Sequence, residues 1–153
     1  MSQPTAGAAV IPSETTAGAA TTVIDCHVAS LRKLNYTSLV HWLSSDTANH
    51  VYIGRKTYVA GSFDSKWRNP FKLDQTKGNN DIKRVLKLYL MYLKKNTELV
   101  NSIRTELKGK VLGCWCTPHP CHGDILAAVA NSNSLPLEVI ADIATTYGVS
   151  LEE

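Results

Sequence analysis

The stretch KVLGCWCTPHPCHGDILAAVANS, Lys110 to Ser132, carries the reading of the fold. KVLGCWC reads as a strand, Pro118 and Pro120 stiffen the turn behind it, and the chain becomes helical at or near Cys121. A strand running straight into a helix is a piece of a crossover unit, because parallel neighbours need a helix to carry the chain back.

The same alternation appears on either side. Thr22 to Ala29 mixes β-branched residues in loose alternation and predicts a first strand. TSLVHWLSS sets Leu39, Val40 and Leu43 at helical spacing behind Thr37 or Ser38 as a cap, and HVYIGR predicts a second strand. The Gly-, Asn- and Ser-rich stretch from Lys56 to Asn80 reads as a long loop, with TYVA as a short strand inside it. Ile82, Val85, Leu86, Tyr89, Leu90 and Leu93 then form one stripe behind Asp81, and TELVNSIRTEL repeats the pattern up to Gly109. PLEVIADIATTYG closes the chain with Pro136 in a first turn and Gly148 as a stop. The expected fold is α/β: a mainly parallel sheet flanked by helices, Rossmann-like, in a single domain over 22–153. Residues 1–21, with Glu14 as their one charged side chain, predict a disordered low-complexity tail that could dock a protein partner.

At 153 residues the chain is long enough to bury a core without disulfides or a structural metal. No apolar run approaches the roughly 20 residues of a membrane span, so no membrane partner is expected. The net charge of +3 is too small to mark a dedicated nucleic-acid coat. The first basic residue is Arg32, which argues against a secretory or mitochondrial leader. Three of the four cysteines fall between Cys114 and Cys121, a pattern of thiols or metal ligands in a reducing compartment, cytoplasm or nucleus.

Cys114 and Cys116 lie two apart on a strand and share a face, while Cys121 and His122 stand at a helix start, where unpaired N–H groups favour a thiolate. Such strand-to-helix junctions are the usual ligand sites of open α/β sheets. Three chemistries compete. Zinc could be held by Cys114, Cys116, Cys121 and either His119 or His122, although the candidates are crowded for a structural site. Cys121 could be a low-pKa nucleophile or redox thiol beside His122. The sulfurs could also be small buried hydrophobes. Asp124 could exchange a proton with His122 or simply occupy the first helical turn. Cys26 and His27 read as strand-interior residues rather than ligands.

With VYIGR, SKWRNPF and LKGKVLGCWCTPHPCHGDIL in that order, the chain resembles domain-of-unknown-function family 4326 from about Val51 to Leu126. The resemblance names a group and implies no reaction. A weaker likeness is to domain-of-unknown-function family 488, where Cys-His-Arg opens the helix; here Gly123 stands in place of that arginine. Positive charge would then come from the long loop, where six basic residues against two acidic ones give a net of +4 from Arg55 to Lys77.

The resulting expectation is an intracellular enzyme or ligand-binding domain for a phosphate-bearing, nucleotide-like or nucleic-acid substrate. Cys121, His122 and Asp124 would be its catalytic groups. Arg55, Lys66, Trp67, Arg68, Asn69, Phe71 and Cys116 would line the ligand, with Trp67 and Phe71 stacking or clamping it. Zinc on Cys114, Cys116, Cys121 and His122 in a nucleic-acid- or protein-binding module is the alternative, and a structural component of a larger assembly is the third reading.

Overall fold

The computed structural model describes residues 20–115 and 121–152. Strands β1 (Thr22–Asp25), β2 (His50–Tyr52) and β3 (Val111–Cys114) form a parallel sheet in the order β1-β3-β2. Val23 pairs with Leu112 and Asp25 with Cys114 on one side of β3, while Val51 pairs with Leu112 on the other. The strand that comes last in the sequence therefore sits in the middle. Helices α1 (Val28–Lys33) and α2 (Leu39–Ser45) follow β1, α3 (Asn79–Lys95) and α4 (Thr97–Leu107) follow β2, and α5 (His122–Asn131) and α6 (Pro136–Tyr147) follow β3.

Alternation along the strands sorts these helices onto two faces. Val23, Val51, Leu112 and Cys114 point into the main core with Leu86, Tyr89, Leu90, Ile103, Ile125 and Ile140 of α3 to α6. Ile24, Tyr52 and Val111 point the other way, against Leu31 of α1 and Leu39 and Trp42 of α2. Each fully buried Leu or Ile contributes about 1.5–3 kcal/mol relative to exposure, so the four-helix face supplies most of the hydrophobic stabilisation. Gly113 makes the smaller face possible. A Cβ there would meet the Trp42 ring at 2.8 Å, so any other residue would push α2 off the sheet.

Sequence and structure differ at several element ends. The first strand stops at Asp25 rather than Ala29, because the Asp25 carboxylate accepts the His27 amide (3.1 Å) and the Ser30 hydroxyl (2.7 Å) and turns the chain into α1. TYVA is a bend instead of a strand, fastened by Ser62 and Thr57 hydrogen bonds, with Tyr58 fully exposed. β3 ends at Cys114, Trp115 is in a bend, and Cys116 lies outside the described residues. The helical stripe behind Asp81 begins two residues earlier, at Asn79. A parallel sheet between helices is as expected, whereas three strands among the described residues are fewer than the six of a doubly wound dinucleotide fold. Of the expected tail, residues 1–19 lie outside the described residues. Thr21 is buried, with its hydroxyl on the Leu107 carbonyl (2.7 Å) and its amide on Asn131 (2.7 Å). Among the described residues no helix is long and apolar enough to cross a membrane.

Candidate functional site

The chain leaves β1 towards the small-core face and leaves β3 towards the main-core face. Where adjacent parallel strands send their connections to opposite faces, a crevice opens at their carboxyl ends, and there ligands bind in open α/β folds. Here that switch point lies at the carboxyl ends of β1 and β3, after Asp25 and Cys114, with Arg55 following β2 on the far side of β3.

At the β3 end, Cys121 is the N-cap of α5. Its sulfur accepts the Gly123 amide at 3.3 Å, and the Asp124 carboxylate accepts the Cys121 amide at 3.0 Å, a reciprocal cap. Cys121 Sγ lies 2.8 Å from Cys114 Sγ and 3.6 Å from His122 Nδ1. His122 Nε2 is 2.8 Å from the Ile53 carbonyl, which can only accept, so Nε2 carries the hydrogen and Nδ1 presents a lone pair towards Cys121. The imidazole is buried. Burial lowers its pKa against the hydrogen bond to Ile53, and the nearby Arg55 charge lowers it further, so the ring is neutral at neutral pH. Tyr89 meets the ring edge-on at 5.2 Å and donates its hydroxyl to the Trp67 carbonyl at 2.8 Å. Gly123 sits close against this packing: a Cβ would stand 2.8 Å from Ile53 Cδ1 and 3.1 Å from Val23 Cγ1, so a larger residue would make those side chains shift.

The expected ligand residues divide between two places. Arg55 stays at the sheet edge, where its charge acts on both Tyr52 and His122, and Tyr52 receives the Trp115 indole N–H at 2.7 Å. Lys66 pairs with Glu106 at 2.6 Å and lies over the Trp67 ring, and Arg68 donates to the Ser65 carbonyl. Both line a groove of about 650 Å³ at the junction of α3 and α4, together with Tyr92, Lys95, Glu98 and Glu106. Trp67 is buried in the main core, Asn69 accepts the Phe71 amide in a local turn, and Phe71 packs edge-on against Tyr92. Cys116 and His119, both named as zinc ligands, lie outside the described residues. Among the described residues no group of three or more His, Cys, Asp or Glu side chains is arranged to hold a metal ion.

At the β1 end, Asp25 pairs with His27, which the sequence placed in a strand interior but which lies beyond the strand with its side chain exposed. His27 Nδ1 is 2.6 Å from Asp25 Oδ1, and the second carboxylate oxygen accepts Ser30. Burial raises the Asp25 pKa, but the hydrogen bonds from the His27 amide, Ser30 and the His27 ring together bring it below the ordinary value. The His27 side chain is 57% exposed and meets the Trp115 ring edge-on at 5.0 Å. The signal was Asp-x-His-x-x-Ser at a strand end, hidden by the assignment of strand as far as Ala29.

Residues 40–132 match the family described as Domain of unknown function (DUF4326), and the chain belongs to that family. It is similar to uncharacterized protein R718 of Acanthamoeba polyphaga mimivirus, 40% identical over 86 residues, half of this chain and 62% of that protein. It is also similar to an uncharacterized 12.4 kDa protein in the nrdA-td intergenic region of Enterobacteria phage T4, 46% identical over 37 residues, 24% of this chain and 34% of that protein. The chain thus spans less than two thirds of either relative. No solved structure matches. The family match takes in Arg55, Cys114, Cys121 and His122 and stops short of Asp25 and His27.

Proposed function

We propose that this chain binds a phosphate-bearing, nucleotide-like ligand in the crevice between β1 and β3 and acts on it through Cys121 and His122. One observation carries the reading: a thiol at a helix start faces the unprotonated nitrogen of a buried histidine, beside an arginine at the same sheet edge. Proton transfer from Cys121 to Nδ1 leaves the buried pair neutral overall, so burial opposes it far less than it opposes a lone charge. The Gly123 amide and the α5 dipole favour the resulting thiolate. No carboxylate pairs with Arg55 among the described residues, which leaves its guanidinium available for a phosphate.

Site-resolved iodoacetamide labelling across pH, with and without a nucleoside monophosphate, tests this. Cys121 is expected to label with a midpoint below the unperturbed value of about 8.5. The nucleotide is expected to slow labelling, and Arg55→Ala to abolish that protection. A midpoint at or above 8.5, or labelling only at the rate of global unfolding, contradicts the reading.

A further inference from the structure

We infer that Cys114 and Cys121 form a reversible oxidation site, closing to an intramolecular disulfide that switches off the Cys121 thiol. The inference rests on the reading of Cys121 as a reactive thiolate. Cys114 ends β3 and Cys121 caps α5; both are buried in the main core, and their sulfurs touch at 2.8 Å. Two groups act on Cys121 Sγ: the Gly123 amide at 3.3 Å favours negative charge on it, and the unprotonated Nδ1 of His122 at 3.6 Å can receive its proton. They single out Cys121 as the sulfur that attacks an oxidant and leave Cys114 to resolve the product. Cys26 lies in the small core on the opposite face of the sheet, where burial pushes its thiol up, so it stays reduced. Hydrogen peroxide is close to water in size, and local openings of a folded chain admit it to buried thiols.

In the first step the Cys121 sulfur bonds to one peroxide oxygen and the O–O bond breaks. The departing hydroxide takes the proton held on His122 Nδ1, which leaves water and a sulfenic acid. In the second step the Cys114 sulfur bonds to Cys121 Sγ, the S–O bond breaks, and the departing hydroxide takes the Cys114 proton as a second water. The two sulfurs together lose two electrons, and one hydrogen peroxide is reduced. A small dithiol reverses the change by exchange, restoring both thiols and leaving as its own disulfide. The oxidised pair is uncharged, so burial does not oppose it as it opposes a thiolate. While the bond lasts, Cys121 has no proton to give His122 and no lone thiolate with which to attack a ligand.

The full chain is treated with hydrogen peroxide at neutral pH, alkylated with iodoacetamide under denaturing conditions, cleaved by chymotrypsin after Trp115 and mapped by mass spectrometry. The fragment holding Cys114 is expected to be joined to Cys121, with Cys26 alkylated. Native iodoacetamide labelling of Cys121 should fall about 100-fold or more on oxidation and return with dithiothreitol. Cys116→Ser should keep the link, whereas Cys114→Ala should lose it and accumulate sulfenic acid at Cys121, trapped by dimedone. The wild-type map reads the link directly, so the test stands even if Cys114→Ala does not fold. Sulfenic acid at Cys121 without a link to Cys114, or a link to Cys116 in its place, overturns the pair and leaves the Cys121 reading standing. A Cys121 inert to both peroxide and iodoacetamide overturns the pair and the reactive thiolate together.

Discussion

Two histidines at one sheet edge have opposite surroundings. His122 is buried, gives its Nε2–H to the Ile53 carbonyl and turns Nδ1 to a thiol. His27 is exposed, gives its Nδ1–H to a carboxylate and turns Nε2 to solvent. The partner on one nitrogen decides what the other can do: Nδ1 of His122 is left facing a buried thiol, and Nε2 of His27 is left on an exposed ring. The difference is one of energetics as well as of role. His122 is part of the main core's packing, while His27 lies outside it.

Truncation should expose that contrast most strongly. His122→Ala removes a packed ring and leaves the Ile53 carbonyl without its donor, so a loss of about 2–4 kcal/mol is expected in denaturant unfolding. His27→Ala, at an exposed pair, should change stability by less than about 1 kcal/mol. Equal losses would mean that the two sites are not energetically distinct.

Acid should separate them more gently. The folded pKa of His122 lies below the ordinary 6.5, so the unfolded chain takes the proton first. Its contribution is complete above pH 6.5 and is lost progressively as pH falls below that value. Asp25, Asp74 and Asp81 are lowered from 3.8, so their contributions are lost only below that pH. Stability measured between pH 6.5 and 4 should therefore fall in the wild type and in His27→Ala, and flatten in His122→Gln. A slope unchanged by His122→Gln would show that the buried ring is not the group that titrates.

The strand-to-helix passage at Lys110 to Ser132 was legible because alternation and helical periodicity both lie within it. Cys121 and His122 could be placed at a helix start for the same reason. Other features depend on partners far along the chain. Trp67 lies in a Gly- and Asn-rich segment that reads as surface, and its burial comes from α3, whose Tyr89 bonds its carbonyl. Lys66 read as an anion contact, yet its partner Glu106 lies forty residues away on α4. The Asp25 turn is local and could have been read, but the β-branched run before it suggested a strand that continued through it. The sheet's small size was hidden because the spacing of strands along a chain does not reveal their number or order in space.

The central claim is that the crevice between β1 and β3, and not the α3–α4 groove, receives a phosphate-bearing ligand. Two-dimensional 1H–15N NMR during titration with a nucleoside monophosphate tests it residue by residue. The account predicts the largest shifts at Asp25, His27, Arg55, His122 and the Trp115 indole. Shifts confined to Lys66, Arg68, Tyr92 and Asn96, or no shift at any residue, would contradict it.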